Sequence, residues 1–484
     1  MIIGHEPSRP VDAVFINSPL KDYDESPRRN DFTLPVLGLG YIATCARNSG
    51  RNVGVLDAEA LGLGISTIAK LTNAVAPRWV GLNLLAPTYR NSVAILKRIS
   101  PDIKVMVGGH QAKAMPKEIL SDSKIPRIDA MVLGEGEHRV EQLLIDTKAR
   151  EKLPNVLWRS SSGDPKEGGA ASPQEKSYYL APDIDQLPFI DRKFLAQDPF
   201  KAEDGRIEAN LVGSRGCPYD CSFCGAAKSA NPDISIRTRN PENILAEMEE
   251  LAKGHGVTAF RFVDDLFLAQ PQFMRRCLPR FIKAGVCDKW VWDATGRVNV
   301  LANADDSLLS LIQEAGCREI ALGIESGSKR MLEYVDKHIN PEMTIRAVKA
   351  LTVRGINVKG YFILGFPTET ETDMTSTIDL VHQLWASTEN DRGRFRCSVF
   401  EFRPYPGTPE WHRLVASGRY SADQLLNYEH VDFMAGGRYP MLLDRDEFNF
   451  SVNLQFGEVP VLRVREQVAR LMELQKRRAM KLLP

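Results

Sequence analysis

At 484 residues, 43% hydrophobic and 26% charged, the chain has the length for two or three domains and the composition of an ordinary globular protein. Lysine plus arginine equals aspartate plus glutamate at 62 each, which excludes the global basic field that a nucleic-acid backbone or an anionic lipid surface selects. No signal-like segment opens the sequence and no run of about 18 apolar residues occurs, so the expectation is a cytoplasmic protein with neither a membrane nor a nucleic-acid partner.

Residues 1–150 alternate short apolar runs with helix-length segments: "AVFINSPL" (13–20), "NVGVLDA" (52–58), "WVGLNLL" (79–85), "KVMVGGH" (104–110) and "AMVLGEGE" (130–137). Each run is almost continuously apolar and ends in a turn former, the pattern of central parallel strands covered on both faces. This predicts a doubly wound α/β domain of Rossmann or flavodoxin type, whose ligand edge is the C-terminal ends of its strands. Residues 151–206 change character. "RSSSGDPKEGGAASPQEKS" (159–177) has almost nothing to bury and reads as a linker.

A second alternating series fills 207–410: "ANLVGSRG" (209–216), "AFRFVDD" (259–265), "WVWDATGRV" (290–298), "EIALGIES" (319–326), "KGYFILGFP" (359–367) and "SVFEFRPYPG" (398–407). Six strand-helix repeats fall short of the eight that close a barrel, so the expectation is a partial, open (β/α)6 barrel. Residues 411–484 read as a short helical region. Its amphipathic segment at 461–483 is expected to pack on the barrel.

Five of the eight cysteines stand singly among apolar neighbours; Cys217, Cys221 and Cys224 cluster in "RGCPYDCSFCGAAK" (215–228). Structural zinc wants four ligands, and no partnering pair follows at finger distance. An iron-sulfur cluster held by three thiolates leaves one iron open to a substrate. Structural zinc, such a cluster and three core cysteines are the readings that the spacing leaves.

The pattern C-x3-C-x-aromatic-C resembles the signature loop of the radical S-adenosylmethionine (SAM) superfamily. The resemblance implies that Cys217, Cys221 and Cys224 ligate a [4Fe-4S] cluster whose fourth iron binds SAM, and that reduction of SAM yields a 5′-deoxyadenosyl radical. It also nominates Asp264 and Asp265 in "FVDDLF" for the methionyl amino group, Glu325 and Ser326 in "GIESGS" for the ribose and carboxylate, and Arg297 in "ATGRVN" as a further SAM contact. The Gly-Phe-Pro turn of "FILGFPTET" falls on the adenine side. Asp264 as a helix cap and Arg297 as a partner of Glu325 are the structural alternatives.

An α/β domain before such a barrel resembles the cobalamin-binding branch of the superfamily, through "LPVLGLGYIA" (34–43), "DAEA" (57–60), "GGHQAKAMP" (108–116) and "LGEGE" (133–137). The resemblance implies cobalamin at the glycine loops of Gly108, Gly109, Gly134 and Gly136. The motif Asp-x-His-x-x-Gly, which supplies a histidine to cobalt, is absent, which leaves two readings, cobalamin without a histidine lower ligand or a domain that has kept the fold and lost the cofactor; His110 beside Gly-Gly reads as a loop residue. The same branch implies a small-molecule substrate, natural-product tailoring of an antibiotic or aminosugar type, and an electron donor such as a flavodoxin, ferredoxin or reductase. Its leading outcome is C-methylation, and the alternative is radical dehydration of a diol. Asp22, Asp24 and Glu401 are the carboxylates offered to a cationic substrate.

Overall fold

The computed structural model describes residues 1–28, 33–202, 204–232, 236–431 and 450–480. Five parallel strands open the chain: β1 (Ala13–Asn17), β2 (Val53–Asp57), β3 (Trp79–Asn83), β4 (Lys104–Gly108) and β5 (Ala130–Val132). Their order is β2-β1-β3-β4-β5, so the winding reverses between β1 and β3 and leaves a crevice at their C-terminal ends. Val14 and Ile16 enter one apolar core, Ala13 and Phe15 the other. Both faces of this sheet are consumed by packing.

The stretch read as a linker contains more order than its composition shows. β6 (Val156–Arg159) pairs antiparallel with β5, and β7 (Pro165–Glu167) pairs with β6. Val156 and Trp158 turn inward and alternate with half-exposed Leu157 and Arg159. Four residues of alternation suffice for an edge strand but vanish within a Ser/Gly-rich window.

In the second sheet β8 (Phe200–Lys201) runs antiparallel to β9 (Ile207–Leu211), after which a short ladder joins β10 (Ser214–Arg215) to β11 (Arg237–Thr238). The sheet continues with β12 (Ala259–Phe262), β13 (Val291–Gly296), β14 (Cys317–Glu325), β15 (Asn357–Leu364) and β16 (Phe395–Glu401). Its order, β16-β15-β14-β13-β12-β9-β8, leaves both edges apart: six parallel strands form an open, partial barrel. Phe260, Trp292, Ile320 and Val358 face outward into the helices. One of these is Pro241–His255, begun by a proline and ended by Gly256 at φ +69°, as its sequence predicts.

The other face is polar. Arg318 reaches Asp293 (2.6 Å) and Glu208 (2.7 Å), and Arg396 pairs with Glu319, so the lower end of the barrel is closed by ion pairs. Helix Val461–Met480 packs Val464, Val468 and Leu471 into the barrel core. Its Gln475 Oε1 accepts the Cys397 N–H (2.9 Å), and its Met472 Sδ accepts the Val399 N–H (3.4 Å), both from the edge strand β16. The two halves share an apolar seam in which Leu84, Met115 and Ile119 meet Met331, Phe366, Trp411 and Leu414.

Candidate functional site

The cysteine loop leaves β10 through Gly216, whose φ of +86° turns the chain back over the strand ends. The Asp265 carboxylate accepts the Gly216 N–H (3.2 Å), and the Asp264 carboxylate accepts the Ser214 N–H. The Arg297 guanidinium lies 3.6 Å above the Tyr219 ring, donates to the Cys221 sulfur (3.4 Å) and donates to the Lys337 carbonyl. Phe223 packs edge-on against Phe366 of the Gly-Phe-Pro turn. Burial raises the Cys217 thiol and pushes Cys224 up to about 12, so these thiols need a cationic partner to ionise.

A cavity of about 770 Å3 opens where the two halves meet. Gly108, Gly109, Gly134 and Gly136 line it from the first sheet; Val212, Ser214, Val263, Asp264 and Asp265 line it from the second. At Gly109, φ is +91° and a Cβ would collide with Asn83 and stand 2.8 Å from the Leu84 carbonyl oxygen. Gly134 has φ +89°, and a Cβ there would meet only Arg139 within 4 Å, because its open side is the cavity. Buried Arg139 fixes that loop by donating to the carbonyls of Leu133 and Pro154 (3.0 Å each).

Comparison with known proteins matches residues 211–381 to the Radical SAM superfamily and residues 30–144 to the B12 binding domain. The chain is a radical SAM enzyme with a B12-binding domain. An uncharacterized methyltransferase of Pyrococcus horikoshii, PH0819, is 29% identical to the enzyme over 403 residues, 83% of each chain. The cytidylyl-2-hydroxyethylphosphonate methyltransferase of Streptomyces wedmorensis is 26% identical over 379 residues, 68% of this chain and 69% of its own. The fold is shared with the radical SAM methyltransferase TsrM from Kitasatospora setae at TM-score 0.60 and 17% identity, over 84% of this chain and 76% of that one. It is shared also with the cobalamin-dependent SAM radical enzyme OxsB at TM-score 0.62 and 16% identity, over 95% and 66%.

The cofactors of this radical SAM enzyme are therefore a [4Fe-4S] cluster, SAM and cobalamin, and its residues suit them. Cys217, Cys221 and Cys224 are free thiols on one loop, the number of protein ligands that leaves one iron of a cluster open, and the Arg297 guanidinium at the Cys221 sulfur offsets thiolate charge there. The glycine-lined cavity wall gives a flat macrocycle close approach to backbone.

The nominated SAM residues divide into three groups. Asp264 and Asp265 face the cavity; Asp264 caps no helix, keeps one carboxylate oxygen buried without a hydrogen-bond partner, and is pushed up to about 7 by burial. Arg297 pairs not with Glu325 but with the cysteine loop; Glu325 is taken by Lys337 (2.6 Å), a buried residue that the sequence did not single out. Glu325 adopts φ +65°, a strained conformation for a non-glycine residue, at a register shift between β14 and β15. Ser326 is fully buried, and its hydroxyl meets Thr377 (3.0 Å) and accepts the Ser328 N–H (3.1 Å), so it braces the turn away from the cavity. His110 lines the cavity, where the surrounding protein lowers its pKa.

The carboxylates offered to a cationic substrate are committed elsewhere. Asp22 accepts the Ile65 N–H (2.9 Å), and Asp24 accepts the N–H groups of Ser66 (2.9 Å) and Thr67 (3.2 Å), so both serve the N-terminus of helix Ile65–Val75. Glu401 pairs with Arg465 (2.8 Å) and accepts the Ser451 hydroxyl.

Proposed function

We propose that this enzyme methylates an unactivated carbon of a small organic molecule, with SAM as both the methyl source and the source of the 5′-deoxyadenosyl radical that removes the hydrogen. The supporting observation is the shared cavity, which sets the glycine loops of one half against Asp264 and Asp265 of the other. The methyltransferase names of its relatives favour methylation over dehydration. With Asp22, Asp24 and Glu401 engaged, no carboxylate of that set supports an aminosugar, and the reading stays at a small molecule.

When bound, the cluster supplies the electron that cleaves SAM and the corrinoid supplies methyl transfer to carbon. In this reading Cys217, Cys221 and Cys224 hold the cluster, and Arg297 offsets charge at Cys221. Asp265 fixes the loop backbone, and Asp264 presents its unpaired oxygen to the SAM ammonium. Leu37, Leu39, Val212 and Val263 line the cavity and limit water around a radical. A flavodoxin, ferredoxin or reductase is the proposed electron donor. Among the described residues no helix is long and apolar enough to cross a membrane.

Anaerobic reconstitution with iron, sulfide and hydroxocobalamin, followed by gel filtration, tests this reading. The expected result is about four irons per chain, a corrinoid spectrum that travels with the protein, and label from methyl-labelled SAM on that corrinoid, released by light. Protein that holds the cluster but retains no corrinoid would overturn methyl transfer.

A further inference from the structure

The cysteine loop is held at both of its ends by the B12-binding half. At the entry, Arg215 stands two residues before Cys217 and directly opposite Arg237 in the β10–β11 ladder. Two guanidinium groups facing each other across a ladder are destabilising by themselves. The carboxylates that reconcile them come from the other half: Glu135 meets both arginines, and Glu137 meets Arg215 at 2.8 Å. Glu135 sits between Gly134 and Gly136, Glu137 opens the helix that follows, and both line the cavity.

At the exit, Asn231 donates to the carbonyls of Gly225 (2.8 Å) and Ala227 (2.9 Å), just beyond Cys224. Its own side-chain oxygen accepts from Lys113 (2.6 Å), on the helix that follows Gly108-Gly109. Each glycine loop of the corrinoid edge therefore grips one end of the cluster loop.

We propose that Arg215 and Asn231 are positioning residues that couple the two cofactor sites, so that a loop ordered by its cluster raises the affinity of the chain for cobalamin, and cobalamin slows loss of the cluster. The proposal rests on the cobalamin reading above. Coupling of this kind is reciprocal, since the same contacts connect both equilibria.

The test is an absorbance titration of hydroxocobalamin into the full chain, with the cluster reconstituted and again after anaerobic removal of iron by a chelator. The expected result is binding about tenfold tighter in the cluster-loaded protein, a typical coupling size, and slower iron loss to chelator when cobalamin is present. In Asn231→Ala the ratio falls to within about twofold, while iron content and the cluster absorbance stay at the parent level. Arg215→Lys, which keeps the charge but loses the two-pronged contact, retains part of the ratio; Arg215→Met removes it, and where that variant fails to fold Asn231→Ala decides. Equal affinity with and without the cluster, or an unchanged ratio in Asn231→Ala, overturns the coupling and leaves the proposed function standing. No cobalamin binding in either state overturns both.

Discussion

In the first sheet every residue of β2 is buried, and successive residues of β1 enter two different cores; in the second, β15 buries only alternate residues, leaving Lys359 and Tyr361 on the inner face. A sheet with apolar packing on both faces has only its strand ends left for a ligand, so glycine loops serve there. A sheet with a polar inner face can place side chains along its strands as well as at their ends. Ligands handled by both halves have to meet at the seam, and there the cavity lies.

Changes in the second half, where side chains do the work, are expected to have the largest effects. Cys221→Ala abolishes the cluster, measured as iron per chain, and with it all reductive SAM cleavage, measured as 5′-deoxyadenosine; unchanged cleavage would remove the cluster assignment. Lys337→Met strands Glu325 as an uncompensated buried charge and lowers stability by about 3–5 kcal/mol, read from denaturant unfolding.

A third change in the same half separates charge from shape. Burial holds Asp264 at about 7, above the ordinary aspartate value near 4, so between these pH values the folded chain keeps a proton that the unfolded chain releases. The group then costs nothing below about pH 4 and destabilises progressively as pH rises toward 7. Asp264→Asn removes that cost. Its melting temperature in cofactor-free protein is expected to gain on the parent from pH 5 to pH 8, by the equivalent of roughly 2–4 kcal/mol.

Backbone changes at the first sheet's edge test the other side of the comparison. Gly109→Ala forces a side chain into a φ of +91° against Asn83, costing about 1–3 kcal/mol, and is expected to lose corrinoid on gel filtration while iron content holds. Asp24→Ala has the smallest effect, a loss of about 1 kcal/mol from the helix N-terminus, with both cofactors retained. A loss of activity beyond that of the folded fraction would return Asp24 to the substrate site.

The parallel strands of both sheets and the cysteine loop are legible in the sequence because each signal is local: an apolar run, a turn former, three thiols in eight residues. Asp22 and Asp24 look like free loop carboxylates in the sequence because the N–H groups they satisfy lie about forty residues later, on a helix whose neighbour no periodicity names. Lys337 in "DKHIN" carries no signal for the same reason: a lysine in a charged loop looks solvated until Glu325 is folded against it. Arg215 stands inside the motif, but its role depends on Glu135, eighty residues upstream, which only the fold brings into contact. Ser326 shows the converse: a motif fixes where a residue falls in the chain but not which way its hydroxyl turns.

The contacts from Gln475 and Met472 to the N–H groups of Cys397 and Val399 have a consequence for colloidal behaviour. Unpaired donors along an edge strand are a template on which another chain's strand can grow. Helix Val461–Met480 occupies two of those donors with side chains that cannot themselves propagate a ladder. Shortening the chain before residue 461 is therefore expected to convert a dispersed protein into one that polymerises edge to edge, visible as light scattering and thioflavin binding before any loss of helical signal.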